Sequence, residues 1–271
     1  MKRDDYTAAN REAWNEAAPI HARRQFEQLL ADFRKPGHSC LDALETRTLQ
    51  DIGLAGKAVA QICCNNGREL LSVKNLGAAR CVGFDISDGF IAQARQLARA
   101  GGIEAEFLTT DIYRIPARFD ANFDLAIITI GVLGWMPDLK GFFAVIARLL
   151  KPGGQLFIYE QHPIMGMFEP GDPEPQPRLR HSYFRSDPFR DETGLDYWGR
   201  ETYKSKPTYW FQHKLSDTIT ACIGTGFALE AFTEHDHDVS NIFGNVTAQP
   251  ILPPLSYSLI ARKTRQAPRA G

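Results

Sequence analysis

No stretch of this 271-residue sequence stays apolar for anything near the ~18 consecutive residues that a bilayer-crossing helix requires. The N-terminus, Met1-Lys2-Arg3-Asp4-Asp5, is polar and leads into no apolar segment of the kind a secretory leader carries. Both absences lead to the expectation of a cytoplasmic protein without a membrane partner. An excess of charge of either sign is missing too. Lys and Arg number 31 against 32 Asp and Glu, and the net charge of −1 gives no electrostatic footprint for nucleic acid. Cysteine is scarce and unpatterned. Cys40, Cys63, Cys64, Cys81 and Cys222 are an odd, scattered set, and the neighbours Cys63 and Cys64 lack CxxC spacing and a second ligand cluster. They are read as small buried thiols, with no metal site.

What is present is a regular alternation of short apolar runs with helical patterns. Residues 7–34 read as helix, with Trp14, Ala18, Phe26, Leu29, Leu30 and Phe33 on one rough apolar face, broken at Pro36-Gly37. A shorter helix covers 41–52. Strand-like runs then follow at 58–64, 81–85, 106–108, 123–130 and 155–159, each succeeded by a helical or loop segment. Ser87 and Asp138 stand as N-caps, and Lys151-Pro152-Gly153-Gly154 stops the helix before the fifth strand. Two more strands, 227–232 and 256–261, follow a helix over 217–223 and are separated by a long loop, which suits a final antiparallel pair. The expected fold is α/β, a doubly wound, mostly parallel sheet of seven strands with the last antiparallel. The expected organisation has four parts: a helical cap over 1–50, a core over 55–163 and 216–262, an insert over 164–215, and a tail over 263–271. The insert is rich in proline, but it also holds Tyr183, Phe184, Tyr197, Trp198, Tyr203, Tyr209 and Trp210, too many rings for simple disorder. An ordered cover over a ligand site is expected.

The strongest constellation is Gly67 at a strand-to-helix turn with Asp85 closing the next strand, 18 residues later. A carboxylate there accepts both hydroxyls of a ribose, so the pair serves any adenosine ligand. A dinucleotide further needs glycines that let a pyrophosphate approach the backbone, and those two positions hold Cys63 and Asn65. The missing glycines weigh toward an adenosine ligand without phosphate, and Asn tolerates the backbone angles of a tight turn. Asp111, after the third strand, stands where an adenine amino group would be met. A nicotinamide-dependent oxidoreductase is the competing reading. It lacks these glycines and a Tyr-x-x-x-Lys pair, since the run from Tyr257 ends in Ala261. A third reading is a non-catalytic binding protein that retains the fold.

The segments Gln61–Glu69, Val82–Ser87, Thr110–Tyr113, Gly131–Leu139 and Leu150–Gly154 resemble, in order, the motifs of class I S-adenosylmethionine-dependent methyltransferases. The first resembles that of a bacterial small-molecule subgroup reading QCNNGQ, and Ala13–Ala18 is similar to that group's N-terminal helix. The resemblance implies S-adenosylmethionine as cofactor, with S-adenosylhomocysteine as product, and a small-molecule acceptor. It also implies roles: Asp85 on the ribose, Ile86 packed on the adenine, Asp111 at its amino group with Ile112 beside it, Cys63 to Gly67 lining the methionine moiety, Ile130 and Gly131 beneath it, and Trp14 with His21 closing the site. Gln61 replaces the usual acidic residue of the first motif, so Gln61 and Asn65 are both candidates for the ligand's ammonium.

A methyl group on a sulfonium is already activated, and the protein's main task is to align a nucleophile opposite the departing sulfur. A base is needed only where the acceptor must first lose a proton. The carboxyl ends of the strands select Glu160, Gln161 and His162 after the fifth strand, and Glu234, His235, Asp236 and His237 near the sixth. His162 and His235 are the candidates for a base or an acceptor-binding group. Trp135, Tyr183, Trp198, Trp210 and His213, with Tyr209, are candidates for an aromatic acceptor pocket suited to a flat ring or a cationic amine. An oxygen or nitrogen acceptor is the expectation, the sequence does not decide between oxygen, nitrogen and sulfur, and it carries no reading of oligomeric state.

Overall fold

The computed structural model describes residues 1–196 and 201–264. The strands are β1 Ala58–Ile62, β2 Arg80–Asp85, β3 Glu106–Thr109, β4 Phe123–Ile128, β5 Leu150–Gln161, β6 Phe189–Asp191, β7 Thr208–Trp210, β8 Phe227–His235 and β9 Ser256–Lys263. Seven of them form one sheet in the order β3-β2-β1-β4-β5-β9-β8, and β6 and β7 pair separately as a short antiparallel ribbon. β1 to β5 run parallel, and β9 runs antiparallel between β5 and β8. The helices are α1 Arg3–His21, α2 Glu27–Phe33, α3 Ala43–Ile52, α4 Arg68–Asn75, α5 Asp88–Gly101, α6 Leu139–Leu149, α7 Leu215–Gly224 and the single turn α8 Gly244–Thr247.

Central strands buried on both faces require continuous apolar runs, and β1 and β4 have them, with Val59, Ala60, Ile62, Leu125, Ala126 and Ile128 fully buried. One face is covered by α2 to α5, which set Phe33, Leu49, Leu70, Ile91 and Leu97 against the sheet. The other is covered by α6 and α7, with Phe142, Phe143, Ile146 and Cys222. Truncating either Phe142 or Phe143 to Ala would cost about 3–5 kcal/mol. Ser87 and Asp138 cap α5 and α6 as expected, accepting from the Phe90 and Gly141 N–H groups.

Several boundaries depart from the sequence expectation, β1 for instance ending at Ile62 rather than Cys64, and three of the departures have a tertiary reason. β4 ends at Ile128 rather than Ile130, as the chain turns there to bring the Gly131 and Val132 N–H groups onto Glu160. β5 starts at Leu150, ahead of Lys151-Pro152-Gly153-Gly154, since Leu150 already pairs with Phe123 and a register shift follows. β8 runs on to His235 because β9 pairs Glu234 with Tyr257 and His235 with Ser256, so these two residues lie within a strand rather than beyond it. The N-terminal helical stretch is also not uniform. Pro19 lies inside α1 and has no N–H to give, and a π turn over Ala22–Phe26 joins α1 to α2.

The insert is built onto α1. Tyr6 meets Tyr209 and Phe211 edge-on at 5.0 and 5.1 Å. The Asn10 side chain brackets Tyr209, donating to its carbonyl at 3.0 Å and accepting its N–H at 2.8 Å. A small separate core of Met165, Phe243, Val246 and Leu255 joins the start of the insert to the loop between β8 and β9. Among the described residues, no helix is long and apolar enough to cross a membrane.

Candidate active site

In the order β3-β2-β1-β4-β5, helices leave β1 and β4 toward opposite faces, and the crevice between the carboxyl ends of these strands is where an open α/β sheet binds ligands. The turn after β1 fills one wall. Cys63, Asn65 and Gly67 sit at φ 55°, 50° and 74°, so all three alternate positions are left-handed although only one is glycine. Gly67 has a packing reason as well: a Cβ there would lie 2.5 Å from the Phe107 ring and 3.0 Å from Ala94. Asp85 ties the turn to β2. Its Oδ2 accepts the Asn65 N–H at 2.8 Å and its Oδ1 the Ser87 N–H at 2.9 Å. Burial pushes the carboxyl up to about 6 against the lowering effect of these donors. The Cys63 thiol is held well above its ordinary value, first by burial and then by the charges of Asp85 and Asp111.

The second wall is the segment after β4. Gln61, fully buried on β1, donates through Nε2 to Thr129 Oγ1 at 3.1 Å, and its Oε1 has no hydrogen-bond partner. Gly131 takes φ 83°, and Ile130 is 41% exposed at the crevice mouth. Glu160, at the end of β5, accepts the N–H groups of Gly131, Val132 and Leu133 at 2.5, 2.9 and 3.2 Å. This residue lies on the expected edge, but no sequence pattern reveals that its carboxylate would be spent on a neighbouring backbone.

A cavity of about 250 Å³ opens at the β2–β3 end, lined by Ile86, Thr109, Thr110, Asp111 and Arg114, and by Asp4, Thr7, Ala8 and Arg11 of α1. Asp111 accepts the Tyr113 N–H at 2.9 Å through Oδ1, while Ile112 packs inward, buried. α1 is lashed across this cavity by Arg114–Asp4 and Arg11–Asp88 pairs, both at 2.7 Å, and by Asn15 Oδ1 accepting the Ser87 hydroxyl at 2.7 Å. Further along α1, Trp14 meets Trp135 at 5.2 Å and Phe90 at 5.8 Å, both edge-on. His21 is buried and its Nε2 lies 2.5 Å from the Leu195 carbonyl. Of the residues that anchor the helix, Asn10 carried no sequence signal, and Asn15 only its place within Ala13–Ala18.

The structure distributes the acceptor candidates unevenly. Trp210 packs directly on Gly134, where a Cβ would run into the indole, and the Phe211 N–H donates to the Gly134 carbonyl at 2.6 Å. Trp210 of β7 thus packs on the segment that carries Trp135. His213 points its Nε2 at the Met136 carbonyl, 2.8 Å away, and burial lowers its pKa. The Tyr183 hydroxyl accepts the Leu215 N–H at the start of α7. Trp198 lies outside the described residues. The two candidate histidines fall on opposite faces of the sheet. His162 is buried beside Tyr257, with Nδ1 accepting the Ile164 N–H at 3.1 Å and Nε2 lying 3.1 Å from Glu234 Oε1. His235 lies on the Tyr159 side, 3.0 Å from Ser258 Oγ. Among the described residues no group of His, Cys, Asp and Glu is arranged to hold a metal ion.

Comparison with known proteins bears on this geometry. Residues 59–154 match the family model described as a methyltransferase domain. Over 129 residues the chain is 28% identical to a ubiquinone biosynthesis O-methyltransferase of Xanthomonas oryzae, covering 46% of this chain and 52% of that protein. It is 31% identical over 119 residues to a ribosomal protein L11 methyltransferase of Geobacter metallireducens, covering 44% and 35%. The chain thus spans about half the length, or less, of these curated relatives. Among solved structures, an S-adenosylmethionine-dependent methyltransferase of Mesorhizobium loti superposes with a TM-score of 0.61 at 22% identity, over 81% of this chain and 98% of that one. The magnesium protoporphyrin IX methyltransferase of Synechocystis, solved with bound S-adenosylmethionine, gives 0.56 at 18% identity over 96% and 98%. The same fold occurs in a [4+2]-cyclase, at a TM-score of 0.54 and 18% identity. The stretch matched by the methyltransferase domain model carries the Cys63–Gly67 turn, Asp85, Asp111 and the Gly131–Trp135 segment, and the chain shares its fold with S-adenosylmethionine-dependent methyltransferases.

Proposed function

We propose that the chain transfers the methyl group of S-adenosylmethionine to an oxygen or nitrogen of a small-molecule acceptor. The observation that carries this reading is the convergence of Asp85, Asp111 and the left-handed turn at the β1–β4 crevice, with a cavity at the adenine end. The donor set fits the cofactor. Asp85 offers a carboxylate to the ribose, Ile86 and Asp111 line a cavity of purine size, and the orphaned Gln61 Oε1 is a buried acceptor for an ammonium N–H. When bound, the cofactor supplies a methyl group already activated on sulfur. The chain's residues supply alignment: the Gly131–Trp135 segment forms the floor, Trp14 and Trp135 shut out water, and Trp210 borders the acceptor side.

His162 is assigned a positioning role rather than that of a base, since its Nε2 faces Glu234 Oε1 at 3.1 Å. Its Nδ1 lone pair is taken by the Ile164 N–H, so the neutral ring carries its proton on Nε2. His235, on the opposite sheet face, is placed outside the reaction. A chain that aligns reactants without its own base suits an acceptor whose nucleophile is available at neutral pH. The small-molecule acceptor is favoured by the likeness to the ubiquinone biosynthesis enzyme and by the rings around the Gly131–Trp135 segment, Trp14 on Trp135 and Trp210 on Gly134.

Thermal denaturation with candidate ligands tests the cofactor. A ligand at 100 times its Kd adds about 2.7 kcal/mol, a shift of several degrees for a chain of this size. Stabilisation by S-adenosylmethionine and S-adenosylhomocysteine is expected. Stabilisation by NAD(H) alone would reject the proposal, and binding without methyl transfer to any of a broad acceptor panel would favour a non-methylating role such as the cyclase neighbour's.

A further inference from the structure

Glu160 is 5% exposed, and its carboxylate is surrounded by backbone. Oε1 accepts from Gly131 and Gln161 N–H at 2.5 and 2.9 Å, and Oε2 from Val132 and Leu133 N–H at 2.9 and 3.2 Å. Among the described residues no Lys, Arg or His lies within ion-pair distance of it, so its charge is hydrogen-bonded but not neutralised. Burial pushes the carboxyl up to about 7 even against four lowering N–H bonds, as an uncompensated buried anion should behave. A buried carboxylate is expensive unless something repays it; the four N–H bonds, two on each oxygen, offset only part of that cost and need both acceptor oxygens of a carboxylate.

Its position suggests what repays it. The segment it holds begins at the carboxyl end of β4, next to the cofactor turn: Gln61 is in register with Ile127 and bonded to Thr129. Because the peptide before Gly131 is trans and planar, drawing the Gly131 N–H onto Glu160 turns the Ile130 carbonyl away from that carboxylate, to the opposite side of the loop. The carboxylate and that peptide dipole therefore present the same sign to whatever rests on Gly131.

We propose that Glu160 determines the preference of this site for the cationic sulfonium cofactor over its neutral thioether product. The proposal rests on the reading that S-adenosylmethionine binds over Gly131. Substrate and product share adenine, ribose, carboxylate and ammonium, and differ only in the methyl group and the sulfur's positive charge. A negative charge buried behind the sulfur's seat therefore favours the one and not the other, so that transfer of the methyl group weakens binding and promotes release. Glu160 does this as a positioning and specificity residue, through the Gly131–Leu133 backbone.

Calorimetric Kd values for S-adenosylmethionine, S-adenosylhomocysteine and an analogue with a protonated amine in place of the sulfonium provide the test. In Glu160→Gln both cationic ligands should weaken about tenfold more than the product, of the order expected for one charge seen through a protein interior. Glu160→Asp keeps the charge while disturbing the loop, so it should weaken all three ligands alike and leave their ratios as in the wild type. Equal losses for all three ligands in Glu160→Gln would show a purely structural carboxylate and overturn the proposal. If the Gln variant does not fold, a change of the ratios in the Asp variant overturns it and unchanged ratios support it. A wild-type protein that binds none of the three fails the cofactor reading instead, a distinct result.

Discussion

Cys63, Asn65 and Gly67 are three residue types in one backbone conformation, and the energetic cost differs among them. Asn enters the left-handed region readily, glycine without strain, and cysteine against its Cβ. Cys63→Gly is expected to leave stability unchanged or raise it by about 0.5–1 kcal/mol. Gly67→Ala should lower it by about 2–4 kcal/mol, because strain at φ 74° adds to a collision with Phe107. Urea unfolding of the two variants checks both signs. Asp85 makes a second prediction. Its folded carboxyl is raised to about 6 from an ordinary 3.8, so its contribution favours the folded ligand-free protein below about pH 4 and is lost as pH rises through 6. Asp85→Asn should therefore raise the melting temperature of the ligand-free protein at pH 8. The same change should weaken cofactor binding by at least about tenfold, since a neutral amide loses charge-assisted bonds to the ribose. A variant that gains stability and keeps full affinity would remove Asp85 from the ribose site.

Among the elements, α1 is the one that both covers the cavity and carries the insert. Its ion pairs to Arg114 and Asp88 are solvent-exposed and each worth about 0–1 kcal/mol, so salt should loosen them. The Asn10 bracket on Tyr209 is buried at 4% exposure and forms two hydrogen bonds of about 1 kcal/mol each. Asn10→Ala is expected to accelerate amide hydrogen exchange at Tyr209 and along β7 by about tenfold or more while leaving β1 and β4 protected. Unchanged exchange at Tyr209 would mean that ring packing of Tyr6, not Asn10, secures the ribbon. The helix itself was legible from its apolar spacing, and so were the caps at Ser87 and Asp138. The π turn after Pro19 was not, because the apolar spacing of a helix barely changes when a single turn widens. Nor was the extension of β8 to His235, which depends on a partner strand twenty residues away in sequence.

For the molecule as a whole, the order β3-β2-β1-β4-β5-β9-β8 gathers residues from 61 to 160 into one crevice and sends His162 and His235 to opposite faces. His162→Ala should reduce turnover by about tenfold, with cofactor affinity intact, while His235→Ala leaves both unchanged. Loss of activity in the His235 variant alone would reverse the assignment. The sequence by itself determined the alternation of strands and helices, the left-handed turn before α4 and the carboxylates that close β2 and follow β3. These are set by local periodicity and by one-residue conformational preferences, which act without regard to distant partners. Tertiary structure alone decided that Glu160 would be spent on the backbone of Gly131–Leu133, that Tyr183 and His213 would support α7 and Met136, and which histidine shares a face with the loop. A side chain's partners across a sheet depend on strand order and on which face its register presents, and neither quantity is encoded within any one element.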